Sequence, residues 1–258
     1  MKQTKGLIAV HDLAIGYASG VIAKDINFNL CSGELCAIVG VNGIGKSTLL
    51  RTLGKVQTKS SGTIKINNIA LETYTALQLA EQLSVVLTEP IASKNLSVLE
   101  LISLGRLPYT NWLGTLQQKD KIHIQNCIRQ LDLDKLVHKQ CHELSDGQLQ
   151  RVLIARAMAQ DTPLILLDEP TTHLDLYHRV QILKLLKELA KTHHKTILFT
   201  THEIDLAIQL SDKMLILDGA ENPFGQPCEL IEDGAFETLF PADMIEFDAK
   251  TGTFKIKK

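Results

Sequence analysis

The sequence predicts an α/β protein with a mostly parallel sheet and a helical insert, on three observations. The first is the stretch Gly40-Val41-Asn42-Gly43-Ile44-Gly45-Lys46-Ser47-Thr48, which fits the pattern G-x-x-x-x-G-K-[ST]. An apolar strand-like run, 35–39, precedes it, and Leu49, Leu50 and Leu53 follow at helical spacing until Gly54. The second is a pair of short continuous apolar runs, 164–167 and 196–199, as expected of strands buried on both faces of a parallel sheet. The third is a change of character over 88–160, where helical patterns dominate and strand signal is scarce.

A strand, a glycine turn and a helix N-terminus together make a phosphate-binding loop. The glycines let the backbone wrap close to a phosphate, and N–H groups at the helix start point at the anion. Lys46 adds a cation for the outer phosphates, and the Ser47 hydroxyl can ligate Mg²⁺. Gly-Lys-Ser at this junction argues against a turn that merely links a strand to a helix. The motif therefore predicts nucleotide binding.

At 258 residues the chain is long enough for one large α/β domain or two small ones. A formal net charge of −2 gives no sign of a nucleic-acid surface or a polybasic membrane anchor. No apolar run approaches the roughly 20 residues a spanning helix requires, and the opening Met1-Lys2-Gln3-Thr4-Lys5 does not read as a signal peptide. The expectation is a soluble chain. Five scattered cysteines, with no C-x-x-C pair, suit reduced cytosolic thiols.

In chain order, 7–15 has strand character and leads into Gly16-Tyr17. Tyr17 is either a loop aromatic packed on the sheet, which the residues alone favour, or a platform for a base. Residues 26–30 alternate apolar and polar as a half-buried strand does, and 63–66 make another short strand. A helix is expected over 76–83, then a buried strand over 84–87. Within the helical region, Ser97 and Glu100 have capping-box spacing for a helix over 96–104, which Gly105 to Tyr109 should break. A second helix is expected over 119–131, with Ile122, Ile124, Ile128 and Leu131 as its apolar positions.

Ser145 and Gln148 form another capping-box pair, opening a helix with Leu149, Val152, Leu153 and Met158. The residues alone favour a well-capped helix over a second phosphate site, although a Ser, Gly147 and a bare helix start also suit an anion. The run 164–167 ends in Asp168 and Glu169. Carboxylates at the C-terminal end of a buried parallel strand face the ligand crevice. Asp168 can hold Mg²⁺ across from Ser47, and Glu169 can orient or deprotonate an attacking water. A polar turn, 171–175, precedes an amphipathic helix over about 177–193. The strand 196–199 ends in Thr200-Thr201-His202-Glu203, where His202 is a cap or a γ-phosphate contact. A last strand spans 213–217, and the rest reads as a looser tail docked through Phe236, Leu239 and Phe240.

Five of these stretches, in order and spacing, resemble the ATP-binding subunits of ABC transporters over about residues 7–220. Gly40 to Thr48, 144–148, 164–169, 171–175 and His202 are similar to that family's Walker A, signature, Walker B, D-loop and switch-histidine motifs. The resemblance implies a P-loop NTPase core with a mostly parallel sheet, an antiparallel β part near the N-terminus and an inserted helical subdomain. It implies one domain: a core of about 1–88 and 161–220, a helical subdomain of about 89–160 and an extension of about 221–258. Tyr17 would stack on adenine. Lys46, Ser47 and Asp168 would bind phosphates and Mg²⁺, Glu169 would be the catalytic base and His202 would sense the γ-phosphate. Such subunits pair head to tail, so Ser145, Gly147 and Gln148, with Asp175 of the D-loop, would serve the nucleotide of a second copy. The further partners implied are integral membrane permease subunits and, through them, a substrate-binding protein; no nucleic acid is implied. The chain would sit peripherally on the cytoplasmic face of the cell membrane.

The sequence departs from the family at two places. Asp146 stands where the signature has its third-position glycine. Thr88, followed by Glu89-Pro90, stands where the family has its Q-loop glutamine, and either Thr88 or Glu89 could ligate the metal. The segments 104–109 and 234–248 resemble subunits serving iron–siderophore, haem and cobalamin importers. The expectation is thus an ATPase powering such an importer. The alternative is a soluble ABC-type ATPase, for example in iron–sulfur cluster assembly. A P-loop GTPase or small-molecule kinase is disfavoured, since no Asn-Lys-x-Asp guanine motif is present.

Overall fold

The structure is a computed structural model that describes residues 6–88, 95–241 and 243–257. Strands β1 (Gly6–Tyr17) and β2 (Gly20–Cys31) form an antiparallel hairpin. In β2 the buried Ile26, Phe28 and Leu30 alternate with exposed Asn27 and Asn29, the period-two pattern of a half-buried strand. The chain then turns into β3 (Leu35–Gly40) and helix α1 (Lys46–Leu53). Strands β4 (Ser61–Ile66) and β5 (Ile69–Ala70) complete a four-stranded antiparallel sheet, ordered β2-β1-β4-β5. Helix α2 (Ala76–Ala80) is shorter than the expected 76–83, because Leu83 already pairs into the central sheet as the start of β6 (Leu83–Val86).

Three helices follow: α3 (Val98–Ser103), α4 (Gln118–Gln130) and α5 (Asp146–Ala159). Ser97 and Glu100 do form a reciprocal capping box on α3. The segment 104–109 does not break the helix outright; it tightens into 3₁₀ turns, Leu104–Tyr109. Ile122 is exposed rather than part of the core, whereas Asp120 is fully buried. The reason is tertiary. Arg106 donates through Nε at 3.0 Å and Nη2 at 2.9 Å to Asp120 Oδ1, donates through Nη1 to the Ala159 carbonyl, and stacks on Tyr109. That pairing turns α4 so that Ile124, Cys127 and Ile128 face inward.

The remaining core elements are β7 (Leu164–Leu167), α6 (Leu176–Thr192), β8 (Thr196–Thr200), α7 (Ile204–Leu210) and β9 (Lys213–Leu217). Helix α7, not anticipated from the sequence, follows directly on His202 and Glu203. The supposedly loose tail contains β10 (Phe224–Gly225), α8 (Pro227–Glu232) and a hairpin of β11 (Ile245–Asp248) and β12 (Thr253–Ile256). Phe236 is fully buried, and its ring stacks on Phe247 at 4.9 Å between centroids, so aromatic packing orders this segment.

The central sheet has the order β10-β9-β3-β8-β7-β6, with β9, β3, β8, β7 and β6 mutually parallel. Its strands are buried on both faces, which explains their continuous apolar runs. Leu35, Ala37, Val39, Ile165, Leu167, Ile197 and Phe199 face one hydrophobic cluster, shared with the helices α3 to α6. Cys36, Ile38, Leu164, Leu166 and Leu198 face the other, shared with α1 and the antiparallel sheet. This sandwich leaves the C-terminal ends of β3, β7 and β8 side by side at one rim, where an open α/β sheet holds its ligand.

Candidate phosphate-transfer site

The loop after β3 is shaped by backbone that side chains rarely adopt. Gly40 has φ 153°, and a Cβ there would lie 2.4 Å from the Leu217 carbonyl oxygen, so only glycine fits without a shift. Gly45, at φ 110°, precedes α1 and offers no side chain to cap it. The helix start is thereby open to an anion, with its dipole favouring negative charge. Lys46 is buried, and its Nζ donates to the Gly40 carbonyl at 2.9 Å and to that of Val41 at 3.2 Å. Burial pulls the Lys46 ammonium below its usual pKa, with the charges of Glu169 and Asp168 opposing.

Three hydroxyls converge on Asp168, which is 3% exposed. Its Oδ1 accepts from Ser47 Oγ at 3.0 Å and Thr200 Oγ1 at 2.7 Å, and its Oδ2 accepts from Thr88 Oγ1 at 3.2 Å. Sheet register explains the meeting: Leu167 lies beside Phe199 on β8 and beside Val86 on β6. Glu169 turns the chain in the left-handed region at φ 46°. Its N–H donates to Thr200 Oγ1 at 2.8 Å. Its carboxylate accepts from Thr172 Oγ1 at 2.9 Å and from His202 Nε2 at 2.6 Å.

A cleft of about 290 Å³ gathers Tyr17, Asn42, Gly43, Gly45, Lys46, Ser47, Thr48, Glu169 and His202. Tyr17 does not pack down on the sheet: it is 53% exposed, with its hydroxyl 3.4 Å from Thr48 Oγ1. A second cleft, about 370 Å³, shares Ser47 and Glu169 with the first and is also lined by Asp168, Thr88 and the exposed Asp146. A larger apolar cleft of about 560 Å³ lies between α3 and α4, but it holds no converging carboxylates and hydroxyls of this kind. Glu89 lies outside the described residues.

Ser145, Gly147, Gln148 and Asp175 are absent from the lining of both of these clefts. Ser145 caps its own helix: its hydroxyl accepts from the Gln148 N–H, and Gln148 Oε1 accepts from the Ser145 N–H at 3.2 Å. Asp175 caps α6, and both its oxygens lie 2.9 Å from His178 Nδ1. Hydrogen bonds from the His178 backbone and ring hold the Asp175 carboxyl below its usual pKa. A Cβ on Gly147 would come 3.2 Å from the His178 ring. Gly147 and Asp175 thus both lie against His178, while Asp146, Thr172 and His173 line the second cleft with Ser47 and Asp168.

The donors around Asp168 suit a hard divalent cation. A carboxylate and the Ser47 hydroxyl are oxygen ligands, as Mg²⁺ prefers, and among the described residues no cluster of three or more His, Cys, Asp or Glu forms a cage. A Mg²⁺ shared with substrate phosphates needs only one or two protein ligands. The motif reading did not assign Thr200, Thr172 and His178. Thr200 sits in the quoted stretch before His202, but only the sheet register reveals what its hydroxyl reaches.

Comparison with known proteins gives a consistent picture. The sequence profile described as ABC transporter matches residues 23–172. The achromobactin transport ATP-binding protein CbrD of Dickeya dadantii is 36% identical, over 92% of this chain and 88% of that protein. The iron(3+)-hydroxamate import ATP-binding protein FhuC of Bacillus subtilis is 34% identical, over 92% and 88%. A chain from a structure described as an inward-facing, metal-chelate type ABC transporter superposes with TM-score 0.80 at 30% identity, over 91% of this chain and 89% of that one.

Proposed function

This chain belongs to the ABC transporter ATP-binding family, and from that premise we propose that it powers a membrane importer for an iron–siderophore type chelate. It binds ATP and is an ATP hydrolase. The observation that carries the mechanistic reading is the rim where Lys46, Ser47, Asp168 and Glu169 meet at the ends of β3 and β7. The phosphates of ATP lie on the amides after Gly45, with Lys46 turning from the Gly40 carbonyl to the β- and γ-phosphates and the exposed Tyr17 ring under the adenine. Ser47 and Asp168 hold Mg²⁺, with Thr88 beside them on Asp168 Oδ2. That ion supplies charge neutralisation at the phosphates when bound.

Glu169 orients a water for in-line attack on the γ-phosphorus and takes its proton as the β–γ bridging P–O bond breaks, releasing ADP and phosphate. His202 and Thr172 steady the glutamate, and His202 contacts the γ-phosphate. The start of α5, with Ser145, Gly147 and Gln148, closes on the nucleotide of a second copy in a head-to-tail homodimer, with Asp175 alongside. Asp146 is exposed at the helix start, which leaves room for its carboxylate to face solvent.

In this reading one domain carries these parts, with a core of about 1–88 and 161–220, a helical subdomain of about 89–160 and an extension of about 221–258. Among the described residues no helix is long and apolar enough to cross a membrane. In this reading permease subunits hold the dimer at the cytoplasmic face, and a substrate-binding protein delivers the chelate to them. Relatives named for achromobactin transport and iron(3+)-hydroxamate import favour this over a soluble ATPase. Glu169→Gln tests the chemistry: it should bind ATP, nearly stop turnover and leave a dimer on size-exclusion chromatography. Hydrolysis at the parent rate would remove Glu169 as the base.

A further inference from the structure

We infer that Thr200 is a positioning residue of the hydrolytic site, tying the side chain of Asp168 to the backbone of Glu169 through one hydroxyl. The inference rests on the roles proposed above for those two acids. Thr200 ends β8 and is fully buried. The parallel register sets it beside Ile38 of β3 on one side and, one step past the Leu167–Phe199 pair, beside Asp168 on the other. Its hydroxyl has two partners of opposite kind: it donates to Asp168 Oδ1 at 2.7 Å and accepts from the Glu169 N–H at 2.8 Å.

Each partner needs what it receives. Asp168 Oδ1 is held between Thr200 and Ser47, and Oδ2 is turned toward Thr88, so the carboxylate has one orientation. Glu169 sits at φ 46°, a conformation that costs an L-residue about 1–2 kcal/mol and persists only where its surroundings impose it. That left-handed turn sends the two neighbouring acids apart, Asp168 toward Ser47 and Glu169 toward His202. The hydroxyl of Thr200 is the group that touches both. A valine has the same shape and would satisfy burial alone; only the hydroxyl links the carboxylate to the turn.

The experiment compares Thr200→Val and Thr200→Ser with the wild-type chain, co-purified with its membrane partner. Thr200→Val should keep KM for ATP and lower kcat by about 10- to 100-fold, the scale of small misplacements at a reacting centre. Thr200→Ser should restore most of kcat. A fluorescent ATP analogue, titrated with Mg²⁺ or with EDTA, gives a second readout. Thr200→Val should lose part of the affinity that Mg²⁺ adds and keep the affinity in EDTA. Unchanged kcat and Mg²⁺ response in Thr200→Val would overturn the inference and leave the roles of Asp168 and Glu169 standing. Equal losses in both variants, with lower melting temperatures, would also overturn it by making Thr200 a packing residue. A wild-type chain without Mg²⁺-dependent ATP binding or turnover would overturn the functional reading, and this inference with it.

Discussion

At Asp168 and Glu169 two adjacent carboxylates end one buried strand and then part. Asp168 is held by three hydroxyls and Glu169 by a threonine and a histidine, so neighbours in sequence reach different chemical tasks. Lys46 meets the opposite demand, since burial disfavours its charge while both acids favour it. A phosphate supplies the missing anion, so Lys46→Ala should weaken ATP binding. Losing a charge-assisted contact of about 1.5–3 kcal/mol corresponds to a roughly 10- to 150-fold rise in Kd, measurable by isothermal titration. Unchanged affinity would count against the P-loop reading. Gly40, Lys46, Ser47 and the 168–169 pair were readable in the sequence because their spacing is local and chemically specific. Thr200 was not, because its meaning depends on which strand lies beside β8.

At the scale of elements, the same contrast separates what pattern shows from what packing decides. Capping boxes at Ser97–Glu100 and Ser145–Gln148 span three residues and could be read directly. Ile122 could not be placed outside the core by periodicity, because the buried Arg106–Asp120 pair sets the rotation of α4. Arg106→Ala leaves the buried Asp120 carboxylate with the Gln117 N–H but no cation, and should cost about 3 kcal/mol in urea denaturation. A cost under about 1 kcal/mol would show the pair to be dispensable. The docking of the tail through Phe236, Leu239 and Phe240 was readable, but its hairpin was not, because that order comes from Phe247 and Phe254 meeting Phe236 and Phe240 across distant positions.

Within the β11–β12 hairpin, hydrogen bonds from Lys255, Thr251 and the Lys250 N–H bring the Asp248 carboxyl down to about 2. Its folded value lies below the usual unfolded value of about 3.9, so the contribution is complete above that value. It is lost as pH falls through about 2. An NMR titration should place the Asp248 midpoint near 2. A midpoint near the ordinary carboxylate value would mean that the Lys255 contact does not hold the hairpin.

Across the whole molecule, the mostly parallel sheet, the antiparallel sheet and the helices over α3–α5 give the fold that the sequence predicted. That fold is set by strands whose two faces feed two separate cores. Ser145, Gly147, Gln148 and Asp175 line neither cleft at the P-loop rim, and the proposed mechanism gives them to the nucleotide of a second copy. A motor of this kind does useful work only when coupled to a membrane partner. The direct test is a tagged pull-down from detergent-solubilised membranes of the native host, with identification of every stoichiometric companion. The account predicts a polytopic membrane protein retained with this chain. A set of purely soluble companions would contradict the importer reading and leave an ABC-type ATPase with another task.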